Sequence, residues 1–360
     1  MYIGYFTSML SNILLVLNKK HSKLIFTLTF IFMWVLYFGN TGNPDLLSYE
    51  SIYNTDNTTL EIGFRFIINL SKHFNIDFKT FVCIMSLICL LLVFGTISKF
   101  TTNTNYVIAF YFIYPFVLDV IQLRNFMALS IVIFSMRFLL INDKKNKLYY
   151  ITCVCLAASI HKLMLVYIVF IFINLKNKNR LIKVIIIIDI IFCIFIFLNG
   201  NDVSFLTKLI PLSEEKYSHY FSKSVRYGFL YNYFFTFLNV LLLYISKRIA
   251  KSNCGSDEKY RKALRFIDLV FWINVLSISF FPFYMMNANF YRLYRNLSIL
   301  NYTAYAITND SYIETGNKGR LKYNFYIILG LALIFIYDVG LNYDYVFRPI
   351  LENNIFLSLH

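Results

Sequence analysis

The chain is predicted to be all-α, a polytopic transmembrane helical bundle of roughly ten full spans plus a short re-entrant-like hairpin. Residues 1–360 form a single membrane domain in this reading. Three observations predict it. Hydrophobic residues make up 58% of the chain and charged residues 15%. The apolar positions fall in continuous runs rich in Leu, Ile and Phe, as helices crossing a bilayer require, and not in the short alternating segments of a membrane β-barrel. The Lys and Arg residues gather in short clusters between those runs, which is how orientation in a membrane is encoded. The formal net charge of +15 is therefore read as topology, and no nucleic acid is expected as a partner; the partner of the whole surface is the lipid bilayer.

The first apolar runs lie near residues 2–17 and 24–39. The first lacks a basic leader and a small-residue cleavage site, so it reads as a retained span with its N-terminus outside. Lys19, Lys20 and Lys23 mark the cytoplasmic side. An outer loop over 40–78 leads to spans near 79–98, 105–121 and 125–141. The loop Asn142–Lys147 (NDKKNK) and the run Lys176–Lys183 (KNKNRLIK) are both basic and hence cytoplasmic, so the segment between them crosses an even number of times. Residues 148–175 offer about 28 positions where two full spans need about 20 each. A pinched or re-entrant hairpin follows, with His161 and Lys162 at its tip and irregular backbone shielded by protein or water. Later spans fall near 184–198, 228–245, 266–285, 293–308 and 323–341. They leave outer loops at 199–226 and 286–292 and place the C-terminus outside.

Several chemistries have no seat in this sequence. Walker A, G-x-G-x-x-G, H-E-x-x-H and D-x-D patterns are absent, so no cofactor and no metal site is expected. Five of the six cysteines lie in apolar runs and read as small hydrophobes. Polar groups gather instead on the outer side. After the second span, Asn43 can cap a helix with Pro44 in its first position, which sets Asp45, Tyr49 and Tyr53 on one face. Glu61 and Arg65 follow, four apart. Arg124 lies at a membrane boundary with Asp119 nearby, and Arg292 and Arg295, three apart, are expected to aim their guanidinium groups the same way, as forks that suit phosphate. Each has a plainer reading: Asp45 as a first-turn acid, Glu61 with Arg65 as a local ion pair, Arg124 as a snorkelling anchor and His161 as an interhelical hydrogen bond. Intramembrane ionisable residues are nonetheless functional candidates by default.

The order G-N-P-D-x-x-x-Y-x-x-x-Y, E-I-G-F, I-Q-L-R-N-F-M-A-L-S and A-S-I-H-K, followed by an Arg-rich late outer loop, resembles the EpsG-type members of the Wzy class of bacterial polysaccharide polymerases. The resemblance is best over residues 35–175. The chain departs from the pattern at Tyr37 and Phe38, where the family often has an Arg, and at Arg124-Asn125, where Arg-Gln is often found. The resemblance implies a glycosyltransferase at the outer face of the bacterial plasma membrane that joins oligosaccharide repeat units carried on undecaprenyl diphosphate. Donor and acceptor would both be such lipid-linked oligosaccharides, with a chain-length regulator and a flippase as further partners. His161, Glu61 and Asp45 are then the catalytic candidates, and Arg124, Arg292, Arg295, Tyr49, Arg65 and Lys162 the candidates for holding diphosphate and glycan. Two rivals share size, charge and location: a lipid-linked oligosaccharide flippase and a membrane O-acyltransferase that modifies surface glycans. A flippase needs charged groups along a path from side to side, and an acyltransferase should place its His on the cytoplasmic side.

Overall fold

A computed structural model describes residues 1–55, 60–175, 177–200, 227–253, 258–315 and 319–357. It is helical throughout, with no strand among the described residues. The helices are α1 (Tyr2–Leu17), α2 (Lys23–Phe38), α3 (Leu46–Asn54), α4 (Ile62–His73), α5 (Phe78–Ile97), α6 (Thr104–Ile113), α7 (Phe116–Ile121), α8 (Leu123–Ser135) and α9 (Lys144–Ile160). A 3-10 arm (Lys162–Asn174) follows, then α10 (Lys178–Leu198), α11 (Phe229–Asn253), α12 (Glu258–Leu276), α13 (Phe281–Met286), α14 (Arg292–Arg295), α15 (Ser298–Thr315), α16 (Arg320–Phe335) and α17 (Tyr343–Glu352).

Six helical stretches among the described residues are long and apolar enough to cross a membrane: Phe78–Ile97, Leu123–Leu140, Lys178–Leu198, Phe229–Asn253, Tyr260–Met286 and Arg320–Gly340. Shorter apolar helices cover Tyr2–Leu17, Lys23–Phe38, Thr104–Ile113 and Lys162–Asn174. The expected ten full spans are therefore not reproduced as ten long helices. The run 105–121 shows why. Pro115 has no N–H to donate and its ring disfavours a continuous helix, so the run breaks into α6 and α7. Every side chain from Asn105 to Phe112 is buried, as is every one from Phe116 to Ile121. Broken backbone at this depth is tolerated because protein surrounds it.

The hairpin is longer than its residue count suggests. An α-helix rises about 1.5 Å per residue, but a 3-10 helix rises about 2.0 Å. The arm Lys162–Asn174 therefore spans about 26 Å, close to the reach of the seventeen-residue α9 beside it. The two run antiparallel along their length: Lys147 Nζ donates to the Asn174 carbonyl at 3.2 Å, and the Tyr150 hydroxyl to the Tyr167 carbonyl at 2.6 Å. His161 and Lys162 stand at the turn, and His161 belongs to neither arm.

Buried amides tie the bundle together. Asn12 on α1 donates to Thr29 on α2 at 2.7 Å and accepts from Asn105 on α6 at 2.9 Å. Asn324 on α16 donates to Asn309 on α15 at 2.8 Å, and Asn274 on α12 to Asn301 on α15 at 2.7 Å. Such bonds are worth about 0.6 to 2 kcal/mol each between membrane helices. Arg320 turns both prongs of its guanidinium onto the carbonyls of Val16 and Leu17, at 3.0 and 2.7 Å. It thus satisfies open acceptors at the C-terminal end of α1, where a cation also suits the helix dipole. On α10, by contrast, Ile187, Ile188, Ile191 and Phe197 are exposed, the face a lipid environment covers.

Of the expected outer loops, 40–78 contains α3 and α4, and 286–292 is one 3-10 turn leading into α14. Residues 201–226 of the third lie outside the described residues.

Candidate active site

The segment after α2 is pinned before it reaches its first acid. Thr41 N–H donates to the Asn353 carbonyl and Ile355 N–H to the Gly39 carbonyl, both at 2.8 Å, so the stretch beyond α17 clasps the start of this loop. Gly42 lies so close to Asn353 that a Cβ there would stand 2.1 Å from its side-chain nitrogen. Asn43 Oδ1 accepts from the Asp45 N–H at 2.9 Å, but the helix begins later than the sequence leads one to expect: α3 starts at Leu46 with Asp45 as its N-cap, and Asn43 and Pro44 form the turn before it. Asp45 and Tyr49 then occupy one side of α3, facing Arg124 and Arg292.

Three of the sequence motifs meet at Glu61. The carboxylate accepts from Arg124 Nη1 at 2.8 Å on one oxygen, and its other oxygen lies 3.4 Å from the backbone N–H of Lys162. Glu61 thus chooses Arg124, from α8, as its ion-pair partner, and no ion pair with Arg65 forms between these two described residues. Arg65 stays half-buried on α4. Two residues after Glu61, Gly63 packs on the end of α9. A Cβ there would stand 2.2 Å from Ser159 Oγ and 2.8 Å from its carbonyl oxygen, so only glycine lets α4 approach the hairpin tip this closely. Phe64 then lies with its ring 5.8 Å below the Arg124 guanidinium, a cation–π contact. E-I-G-F, L-R-N and A-S-I-H-K are one packing unit.

His161 ends α9 with its own N–H on the Ala157 carbonyl at 2.9 Å and starts the 3-10 arm. Its Nδ1 accepts from the Leu163 N–H at 3.3 Å. Burial, then Arg292 and Arg124, pulls its pKa down to about 3, so the ring is neutral. With Nδ1 accepting, the hydrogen-bond pattern assigns the remaining proton to Nε2. The imidazole therefore offers the pocket a donor. Lys162 contributes its backbone N–H to Glu61 while its residue is otherwise exposed.

Burial pushes the Asp45 carboxyl above its ordinary range, and Arg292 and then Arg124 pull it partway back. Tyr49 is raised to about 12, first by burial and then by Asp45, with Arg124 and Arg292 opposing. Both cations thus act on Asp45, Tyr49 and His161, and these five groups share one site at the end of the bundle opposite the α1–α2 and α5–α6 connections.

Arg292 and Arg295 do not point the same way. The helix that carries them is a single turn of four residues, and it lies between the site and the interior. Arg292 faces Asp45 and His161. Arg295, 7% exposed, gives Nη2 to Gln122 Oε1 at 2.7 Å and lies near the carboxylates of Asp119 and Asp338. Those acids are held in turn by Tyr111 at 2.8 Å and Tyr114 at 2.5 Å. The Arg-bearing turn is fixed from the hairpin as well, since the Tyr167 hydroxyl donates to the Leu293 carbonyl at 2.7 Å. Asp338, Tyr114, Gln122 and Tyr167 are absent from the sequence-derived candidates. Asp338 carried a usable signal, a lone carboxylate inside an apolar run; the Tyr hydroxyls carried none.

Beside α3, a cavity of about 250 Å³ lies between α2 and α5, with Asn40, Thr41, Glu50 and Lys79 among Phe38 and Phe78. Among the described residues, no three His, Cys, Asp or Glu side chains gather as metal ligands.

Comparison with curated proteins and with solved structures finds no match. The model of the EpsG family matches residues 23–347, nearly the whole chain and all the residues of this site. The chain belongs to the EpsG family, a Wzy-type polysaccharide-polymerase-like family of membrane proteins.

Proposed function

We propose that the protein is a glycosyltransferase that polymerises undecaprenyl-diphosphate-linked oligosaccharide repeat units at the outer face of the bacterial plasma membrane. The observation that carries this reading is the convergence of Arg124, Arg292, Asp45 and neutral His161 at one end of the bundle, two cations beside one raised carboxylate and one donor. A lipid-borne diphosphate arriving from the bilayer meets guanidinium forks that suit phosphate oxygens. In the transfer, an acceptor hydroxyl oxygen attacks the anomeric carbon of the donor. The carbon–oxygen bond to diphosphate breaks, and Arg124 and Arg292 take up the charge that develops on the leaving group.

The hydroxyl proton needs a base. Glu61 is committed to Arg124 and to the Lys162 N–H, and His161 Nδ1 is occupied by Leu163. Asp45 is the candidate left, and its raised pKa makes it the stronger base. His161 Nε2–H then donates to the sugar or the phosphate. Arg295, engaged with Gln122 and near Asp119 and Asp338, acts as the internal support of the turn that presents Arg292. The cavity between α2 and α5 offers polar groups and aromatic faces to sugar rings.

A flippase is the weaker reading, because the amides that line the middle of the bundle are neutral and bonded to one another. The test is reconstitution in liposomes with lipid-linked repeat units supplied on one side. Wild-type protein should give a ladder of polymer, and Asp45→Asn should give none while still retaining the lipid-linked donor. Translocation of the units without any polymer by the wild-type protein would make it a carrier. Labelling of Lys162→Cys by an impermeant thiol reagent from outside intact cells checks the orientation, and protection from outside would overturn it.

A further inference from the structure

At the other end of the bundle, the α1–α2 and α5–α6 connections and the ends of several helices converge on a cavity of about 450 Å³. Its polar rim holds Lys19 and His21 from the α1–α2 loop, Lys99 from the α5–α6 loop and Lys262 from the first turns of α12. Its inner wall is apolar, with Phe100 stacked on Phe266 at 4.4 Å between ring centres. We propose that this cavity binds a phosphate-bearing anion, and that the bound group is the headgroup of an anionic phospholipid.

Positive-inside topology accounts for lysines in these connections but not for a cavity that they surround. The charge around it is unbalanced. Asp310 is the one acid on the lining among the described residues, and it takes the Asn103 amide at 2.8 Å while facing Arg320. Lys262 pairs with Glu258 at 3.2 Å, but both side chains are more than two-thirds exposed, so that pair holds it weakly. Lys19 and Lys99 are exposed at the rim. The exposed Thr102 hydroxyl stands among the cations and can donate to a phosphate oxygen, whereas that of Ser98 donates to the Gly95 carbonyl at 3.1 Å. A small inorganic ion would use the rim and leave the apolar wall unfilled. A phospholipid uses both, its phosphodiester at the lysines and its glycerol and first methylenes against Phe100 and Phe266. Basic pockets between helices on the cytoplasmic side of membrane proteins take anionic headgroups by this division.

The site is separate from the proposed chemistry, and its test reads binding and not polymer. Full-length protein in phosphatidylcholine nanodiscs is titrated with phosphatidylglycerol, and retained lipid is counted by native mass spectrometry. Lys19→Gln with Lys99→Gln should weaken retention of phosphatidylglycerol roughly 30-fold, the effect of two interfacial cations. Lys144→Gln with Lys145→Gln, in the basic first turn of α9 and off the cavity, should leave it unchanged. Inorganic phosphate is added as a competitor: failure to displace phosphatidylglycerol supports the lipid, while displacement at millimolar concentration assigns the same cavity to a soluble phosphate. Equal losses in the two double variants, or equal retention of phosphatidylcholine and phosphatidylglycerol by the wild type, would overturn the site. Lys19→Arg with Lys99→Arg should bind as the wild type does, which separates loss of charge from damage to the fold.

Discussion

The side chains of Asn125 and Asn296 hydrogen-bond to each other in both directions, at 3.1 Å from Asn125 and 3.4 Å from Asn296. Each follows an arginine, Arg124 in one case and Arg295 in the other, so one buried amide pair sets the spacing of two Arg-Asn steps from distant parts of the chain. Both residues are at most 2% exposed, and replacing either one takes a hydrogen-bond partner from the buried amide of the other. Asn125→Ala and Asn296→Ala should each cost about 1 to 3 kcal/mol, the penalty for an unsatisfied buried polar group. The double variant should cost less than the sum, and thermal melts of the four proteins read the coupling. Additive losses would show that the pair does not act as a unit.

Gly63 makes a sharper steric prediction. Gly63→Ala places a methyl group against Ser159 Oγ and its carbonyl, and the backbone atom cannot swing away as a side chain can. The variant should lower thermal stability and polymer yield together, because α4 carries Phe64 beneath Arg124. Ser159→Gly relieves only the hydroxyl contact, so Gly63→Ala with Ser159→Gly should recover part of the loss. Wild-type behaviour of Gly63→Ala would mean that the α4–α9 approach is looser than described.

The helical, membrane-spanning class and the outline of this site were legible in the sequence, since apolar runs, basic loops and short motifs are local signals. Glu61, Arg124, His161 and Asp45 come together as their motifs imply. What was not legible depends on backbone geometry. The span 105–121 reads as one helix until Pro115 breaks it, and 148–175 reads as too short because nothing in KLMLVYIVFIFIN announces a 3-10 rise. The expectation that Arg292 and Arg295 share a direction assumed a long helix, whereas α14 is one turn set between two acids and the site. The clasp of residues 353–355 on 39–41 joins segments more than 300 positions apart, beyond the reach of any periodicity.

The three arginines should separate by phenotype. At Arg124 and Arg292, Lys should fail nearly as badly as Ala in polymer formation, because a point charge cannot hold Glu61 or Asp45 and grip a diphosphate in fork geometry. Protein abundance should hold at both. Arg295→Lys should instead reduce abundance and melting temperature, since the internal carboxylates and Gln122 lose their shared partner. Full polymer from Lys variants at 124 and 292 would reduce those residues to membrane anchors.

The pH dependence follows from the two titrating groups. A base must be ionised, so transfer should fall as pH drops through the Asp45 pKa, and that limb should lie above the ordinary carboxylate value of 3.8 because burial raises it. His161, brought from 6.5 to about 3, is already neutral across the working range and should add no limb near 6.5. A limb near 6.5 in the wild type that vanishes in His161→Gln would assign the proton transfer to the imidazole instead.

The roles of Asp45 and His161 can be told apart by pairs of substitutions. If His161 serves as a donor through Nε2–H, His161→Gln keeps an N–H donor and should retain measurable transfer, while His161→Ala should lose about 10²-fold or more, as removal of one aligned donor does. If His161 were the base, Gln and Ala would be equally inactive, because neither accepts a proton. At Asp45 the pattern should reverse: Asn preserves shape and hydrogen bonding but not basicity, so Asp45→Asn should be as inactive as Asp45→Ala, with single repeat units accumulating on the lipid carrier. The measurement is single-turnover transfer in proteoliposomes at matched protein content, with donor retention scored separately. Normal polymer from Asp45→Asn would remove Asp45 from the chemistry and leave it the plainer role of an acid at the N-terminus of α3.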